Sequence, residues 1–471
     1  MEPAETRSPA DDFQDQARAR VFDRLGDLAA VFPQLETAPD PHWDEGLSEQ
    51  DAAFAHAILN AAVRHWRCLS FLLNLRLKTP LEQTDPSIAG VLLGAGAQIL
   101  FLDRVPPHAA VDSAVDFARF IGAKPGVCGM INAVLRRLTE LPQRDREGKL
   151  LRVPWKFTQD HIPLGGGEAL ALKFAVFPPE KGPRLATVTS HPPGLIARWL
   201  EQFGPEQTVK LAEHTLCTPP TVLNVEHARS PLPDGWLGPH TDPNARVWIG
   251  PPGNLRAFLA SRPDVWVQDA TSAEACRILG PLGLNPRVIV DLCAGRGTKT
   301  RQLASMYPEA TVLASDTDES RLEDLRRSVC PHHPKVRPVV ADMVSDAAYR
   351  AGRADLVLLD VPCSNTGVLA RRAEAKHRAS SLQLERLTAL QRDLIQKARN
   401  MLAPGGVILY STCSIDPDEN QMQAEFIRSL GFELRASKAT MPHSGWAPGE
   451  GGGKVSTYRD GGFAAALRMF G

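Results

Sequence analysis

Residues 287–300, RVIVDLCAGRGTKT, decide the fold of the second half of the chain. A short apolar strand, RVIVDL (287–292), runs into a loop of small residues, and a helix starts near 299. The same rhythm recurs downstream. TVLAS (311–315) precedes a helix near 319–328, and VRPVV (336–340) and ADLVLL (354–359) are further strands. Leu384, Leu387, Leu390, Leu394, Ala398 and Met401 fall on one helix face at spacings of three and four. VILYS (407–411) is the next strand and ENQMQAEFIRSL the next helix. Nearly continuous apolar strands alternating with helices predict an α/β core, a parallel sheet covered on both faces, over 276–471.

Upstream the pattern changes. Residues 1–12 are polar and read as a disordered leader, and 13–141 read as helical throughout, punctuated by Pro80, Pro106-Pro107 and Pro125-Gly126. In LSEQ (47–50), Ser48 is a candidate N-cap with Asp51 in the first turn. Residues 142–185 are charged and glycine-rich and read as a linker or insertion. Residues 186–275 read as a small α+β subdomain, with a helix capped by Ser190 or His191 and a strand at TVLNVE (221–226). The tail predicts a closing hairpin with a glycine tip.

At 471 residues the chain exceeds one ordinary core. The formal net charge is −1, so any nucleic-acid contact must come from local basic patches. The eight cysteines form no CxxC pair, which argues against zinc, and no metal is expected. The most apolar run, 88–102, is too short to span a bilayer and stops at Asp103-Arg104. No secretory signal is evident. A cytoplasmic monomer with free thiols and no membrane partner is the expectation.

The loop after the first strand suits a ligand. Small residues let the backbone approach closely, and the following helix offers unpaired amide hydrogens. A Walker A phosphate loop is excluded because Thr298 stands where glycine must precede Lys-Thr. The dinucleotide GxGxxG lacks its third glycine. Successive strands then end near Asp316, placed for ribose hydroxyls, and Asp342, placed for an adenine amino group. Such a turn with acids at successive strand ends is the pattern of S-adenosylmethionine sites. The candidate cofactor residues are Cys293, Ala294, Gly295, Arg296, Gly297, Thr298, Lys299, Asp316, Asp342 and Asp360.

Two cysteines stand apart from the rest. Cys68, Cys128 and Cys276 read as small core residues. Cys363, in LLDVPCSNTG (358–367), and Cys413, in STCSIDPDEN (411–420), each follow the end of a predicted strand, and Asp360 precedes the first. Two thiols beside one acid suit attack on an electron-poor ring and its later release.

The segments DLCAGRGTKT, LLDVPCSNTGVLARRAEAKHR and LYSTCSIDPDEN resemble the motifs of the RNA cytosine-5 methyltransferases of the NOL1/NOP2/Sun family. FLDRVPPHAAVDSAVDFA and GMINAVLRRL are similar to the NusB-like domain that opens one bacterial branch, which acts on 16S ribosomal RNA. The resemblance implies a Rossmann-like core that uses S-adenosylmethionine, preceded by an all-α NusB-like RNA-binding bundle and a small α+β RNA-binding subdomain. It implies Cys413 as nucleophile toward carbon-6 of cytosine, Cys363 as the residue assisting proton removal and release, and Asp360 as the contact to the base. The family's usual loop is CAAPGGKT; here Arg296, Gly297 and Thr298 replace Pro-Gly-Gly, and Arg296 is a candidate partner for an acid or the cofactor carboxylate. Arg371, Arg372, Lys376 and Arg378 are candidates for phosphates flanking the target base. Two alternatives stay open: a tRNA or DNA cytosine-5 methyltransferase, and a non-catalytic rRNA-binding assembly factor.

Overall fold

The computed structural model describes residues 13–35, 43–233, 235–448 and 454–470. The leader expected at 1–12 and the glycine tip at 449–453 lie outside them. The chain forms two compact units, Met1–Thr218 with Leu369–Ala379, and Pro219–Val368 with Ser380–Gly471.

The second unit is built on a seven-stranded sheet. Its strands are β1 (Val288–Asp291), β2 (Thr311–Asp316), β3 (Val336–Val340), β4 (Ala354–Asp360), β5 (Leu402–Thr412), β6 (Phe432–Thr440) and β7 (Gly462–Met469). Their order is β3-β2-β1-β4-β5-β7-β6. β1 to β5 are mutually parallel, and β7 is antiparallel to both of its neighbours. The alternation of side chains explains the unbroken apolar runs. Val290, Val357, Leu359, Ile408 and Tyr410 enter one buried cluster. Ile289, Leu356, Leu358, Val407 and Leu409 enter the other. Strand order reverses between β1 and β4, and in such sheets a crevice opens beyond the carboxyl ends at that point. The register sets Asp360 at the end of β4 opposite Ser411 of β5, two residues before Cys413.

The helix Ser381–Met401 covers one face of this sheet. Leu384, Ala398 and Met401 are buried as the periodicity predicts, but Leu390 is exposed and Gln391 is buried in its place. The polar residue wins because its amide has buried partners at the site described below. A four-stranded antiparallel sheet, comprising Val222–Asn224, Leu237–Pro239, Ala245–Trp248 and Trp266–Val267, completes the unit. The tail pairs Trp446–Pro448 with Lys454–Ser456 as a hairpin.

The first unit carries helices Gln16–Val31, Glu49–Arg64, Trp66–Asn74, Pro86–Phe101, Pro107–Phe120 and Pro125–Thr139. Ser48 caps the second, accepting from Asp51 N at 3.1 Å. Residues 142–185 are more than a linker. Arg152–Pro154, His161–Gly165 and Glu168–Ala171 form an antiparallel sheet. Its Ile162 and Leu170, with Leu172 and Phe177, join the apolar core of the helices. The stretch expected as one subdomain, 186–275, is divided: helices Lys181–Val188 and Pro193–His214 belong to the first unit, and the four-stranded sheet to the second. Ser190 does not cap its helix. Pro192 holds that position, and the Ser190 hydroxyl accepts from Arg67 N at 2.7 Å. Among the described residues no helix is long and apolar enough to cross a membrane.

The segment 369–379 corrects one expectation. Lys376 was expected to meet a phosphate, but it is fully buried in the first unit. Its ammonium donates to Arg64 O at 2.6 Å and Thr189 O at 3.2 Å. His377 contacts Val63 O at 2.9 Å, and Arg64 donates to Ala370 O at 3.0 Å. Burial, with the nearby Arg64 charge, pushes the Lys376 pKa well down. Its donors serve carbonyls that water cannot reach. Arg371 and Arg372 are exposed, and Arg378 is half-buried.

Stability separates these roles. Lys376→Ala should lower unfolding free energy by about 2–4 kcal/mol in a denaturant titration, because buried acceptors lose their donor. Arg372→Ala should stay within about 0.5 kcal/mol of wild type.

Candidate active site

The two thiols meet at the carboxyl ends of β4 and β5. Cys363 Sγ lies 3.2 Å from Cys413 Sγ. They are brought together by hydrogen bonds between the two loops that carry them. Gly367 N donates to Cys413 O at 2.9 Å, and Ile415 N to Thr366 Oγ1 at 3.1 Å. Gly367 admits no side chain: a Cβ there would stand 2.8 Å from the Cys413 carbonyl oxygen and closer still to that of Gly461.

A buried carboxylate ties the loops from behind. Glu419 Oε1 accepts from Ser364 N at 2.8 Å and from Gln391 Nε2 at 3.1 Å, while Oε2 accepts from the Ser364 hydroxyl at 2.5 Å. Gln391 also donates to Pro362 O at 3.0 Å, and Tyr410 OH to Glu419 O at 2.6 Å. Burial raises the Glu419 pKa, against the lowering effect of these donors.

Asn365 completes the thiol pair. Its Oδ1 accepts from the Cys413 thiol at 3.2 Å, and its Nδ2 donates to Cys363 O at 3.0 Å. It adopts φ +61°, a left-handed conformation that asparagine tolerates better than most residues. The Cys363 pKa is pushed well up, first by the hydrogen bond to Cys413 and then by burial. Both causes hold the Cys363 thiol toward its protonated form.

Asp360 stands between the thiols and the glycine loop. Lys299 Nζ grips both its oxygens, at 2.9 and 2.8 Å. Burial works against the lysine charge, but Asp360 outweighs it and the Lys299 pKa is raised. Lys299 thus orients an acid.

The glycine loop surrounds the end of β1. Gly295 and Gly297 both have positive φ, at 54° and 86°. A Cβ on Gly297 would strike the Leu325 and Val329 side chains, whereas the space over Gly295 is open. Gly295 N donates to Asp316 Oδ2 at 2.8 Å, so that acid braces the loop with one oxygen. Asp316 Oδ1 accepts from Asp318 N at 2.9 Å. Asp342 is exposed in a short turn after β3. Arg296 is 76% exposed and pairs with Asp324 at 3.2 Å, so it has found an acid on the protein. Cys293 is half-buried, and burial raises its pKa. Ala294 is buried, and Thr298 opens the helix Thr298–Met306.

Asp291 went unrecognised in the sequence, although it closes β1 just before the loop. Its Oδ2 accepts from Thr300 Oγ1 at 2.6 Å, but its Oδ1 is buried without a partner. Burial pushes its pKa up to about 7. An orphaned acid oxygen beside an open glycine loop fits a ligand bearing a cationic amine. Asn365, Glu419 and Gln391 also escaped the sequence reading. The acid and asparagine are visible in the quoted motifs, but only the tertiary contacts give them roles. Among the described residues no group of His, Cys, Asp and Glu is arranged to hold a metal ion.

Residues 281–454 match the family model described as 16S rRNA methyltransferase RsmB/F, and residues 17–140 match the NusB family. The chain thus carries a methyltransferase domain that matches the RsmB/F model and a helical domain that matches the NusB family, and it is a methyltransferase. Ribosomal RNA small subunit methyltransferase B of Salmonella arizonae is 28% identical, with 87% of each chain covered. The protein of the same name from Salmonella agona is 29% identical over 91% of each chain. In fold, this methyltransferase is similar to the crystal structure of PH0851, with a TM-score of 0.67 at 19% identity, covering 98% of this chain and 99% of that one.

Two outcomes test the loop. Asp291 holds its proton in the folded state between about pH 4 and pH 7, where the unfolded carboxyl has lost it. The raised folded pKa therefore means that stability falls as pH rises through that window, to a plateau above it. Asp291→Asn should match wild type near pH 4 and exceed it by about 4 kcal/mol at pH 8 in ligand-free denaturant titrations. Arg296→Ala should change affinity for S-adenosylmethionine by less than about fivefold in calorimetry, because its exposed ion pair is worth roughly 0–1 kcal/mol.

Proposed function

We propose that this methyltransferase transfers the methyl group of S-adenosylmethionine to carbon-5 of a cytosine in RNA, through a covalent cysteine adduct. The observation that carries the reading is the 3.2 Å approach of Cys363 and Cys413 beside the Lys299–Asp360 pair. The names of the relatives support 16S ribosomal RNA as the substrate. The NusB-family match supports RNA contact by the helical unit.

The glycine loop, with Asp291 and Asp316, would hold the cofactor: Asp291 Oδ1 toward its amine, and Asp316 beside its ribose. When bound there, S-adenosylmethionine supplies an electrophilic methyl group. The chain's own residues prepare the acceptor. Cys413 as thiolate attacks carbon-6, which makes carbon-5 nucleophilic. A proton shared between the Asp360 carboxyl and N3 meets the negative charge that attack at carbon-6 develops there. The Lys299 ammonium fixes that carboxyl in direction. After transfer, carbon-5 must lose its proton before the Cys413 bond breaks. Cys363 stands near enough to relay that proton, directly or through water. A thiol with a raised pKa suits a proton carrier better than an attacking group. Arg372 and Arg378 remain candidates for RNA phosphates; Lys376 is withdrawn because its donors are committed.

The test uses the full chain, S-adenosylmethionine and unmodified 16S ribosomal RNA, with 5-methylcytosine mapped by sequencing. Cys413→Ala should abolish methylation and adduct. Cys363→Ala should accumulate protein–RNA adduct on denaturing gels. Methylation that survives Cys413→Ala would overturn the assignment.

A further inference from the structure

A cleft of 620 Å³ lies in the second unit, away from the thiols. Its walls are the segments 227–230, 261–264, 304–310 and 332–336. Ala310 precedes β2 and Val336 begins β3, so the cleft sits at the amino ends of these strands. The thiols sit beyond the carboxyl ends of β4 and β5. Six residues of strand, about 20 Å, separate the two edges of the sheet.

The charges in the cleft do not balance. Asp264 is consumed by Arg262, at 2.8 and 3.0 Å, and by Arg229 N at 2.6 Å. Glu309 is consumed by Lys335 at 2.7 Å. Glu226, near His227, faces Arg277 at 3.8 Å. What remains is cationic or ionisable. Arg229 is exposed, and its guanidinium makes no hydrogen bond or ion pair among the described residues. The His332 and His333 rings likewise have none, and His227 Nε2 is buried without a partner. These groups lie close enough to feel one another. The His333 pKa is pushed down to about 4, first by burial and then by the charges of Arg301, His332, Arg229 and His227. The neighbouring acids are already paired, so the exposed Arg229 guanidinium has no acid of its own, and no metal arrangement exists among the described residues. An oxyanion would pair with that guanidinium. Trp266, which stacks on His227, is covered by Arg301, so its face is not open to a base. The cleft is built for phosphate rather than for bases.

We propose that this cleft binds backbone phosphates of an RNA strand, as a second contact distant from the catalytic thiols. The source is RNA rather than free phosphate because the cleft is open and its cations, Arg229, Arg262 and Lys335, stand on separate segments. A chain of net charge −1 needs such local patches to hold a polyanion. The inference rests on RNA being the substrate.

The test compares the full chain with Arg229→Glu and Arg229→Lys. Binding of a labelled 16S ribosomal RNA fragment is measured by anisotropy across a salt series, and methylation by steady-state kinetics. Arg229→Glu should raise Kd and KM for RNA at least about fivefold, leave kcat within about twofold, and flatten the salt slope by about one. Arg229→Lys should retain most affinity. Unchanged Kd and salt slope in Arg229→Glu would overturn the proposal. So would histidine NMR signals of the cleft that respond to inorganic phosphate but not to RNA. If wild type binds RNA without methylating it, while Arg229→Glu weakens binding, the cleft stands and the catalytic reading fails. If wild type binds no RNA, both fail.

Discussion

The buried carboxylate of Glu419 fixes the spacing on which the chemistry depends. It receives the Ser364 amide and hydroxyl from one thiol-bearing loop and Gln391 from the covering helix, and it lies six residues beyond Cys413 in the other loop. A buried acid is costly unless its oxygens are met, and here they are met from both sides. The Tyr410 hydroxyl holds the Glu419 backbone to β5. The network converts two flexible post-strand loops into a rigid frame, and the two sulfurs are held at 3.2 Å as a consequence.

The sheet supplies everything else by position. β1 delivers Asp291 and the glycine loop, β4 delivers Asp360 and Cys363, and β5 delivers Cys413. These strands are adjacent at the point where strand order reverses. In the proposed reaction one side of the crevice would take the methyl donor and the other the base, with the Lys299–Asp360 pair between them. Lys299 is nearly buried, and a charge so placed stays only because its partner is fixed. The pair orients the acid without requiring mobile side chains.

Much of this was legible in the sequence. The strand and helix rhythm gave the parallel sheet, because strands buried on both faces are apolar at every position. The Cys363 and Cys413 motifs, each just past a strand, marked the site. What stayed hidden depended on contacts between distant segments. Gln391 breaks its helix's apolar stripe, and only its bonds to Pro362 and Glu419 explain why. Lys376 looked like a phosphate contact because composition cannot tell a solvated lysine from one that caps buried carbonyls. Residues 142–185 looked like a linker because their few apolar residues, Ile162, Leu170, Leu172 and Phe177, show no period until the sheet aligns them on the helical core. Asp291 drew no reading in the sequence, and only its orphaned oxygen points it toward a ligand.

The central claim, that Cys413 attacks and Cys363 releases, is tested most directly by trapping the adduct on RNA carrying 5-fluorocytidine. Fluorine at carbon-5 cannot leave as a proton does, so elimination stalls and the bond to the nucleophile persists. Mass spectrometry of the digested wild-type protein should place the nucleotide on the peptide containing Cys413. A nucleotide found on Cys363 would contradict the account.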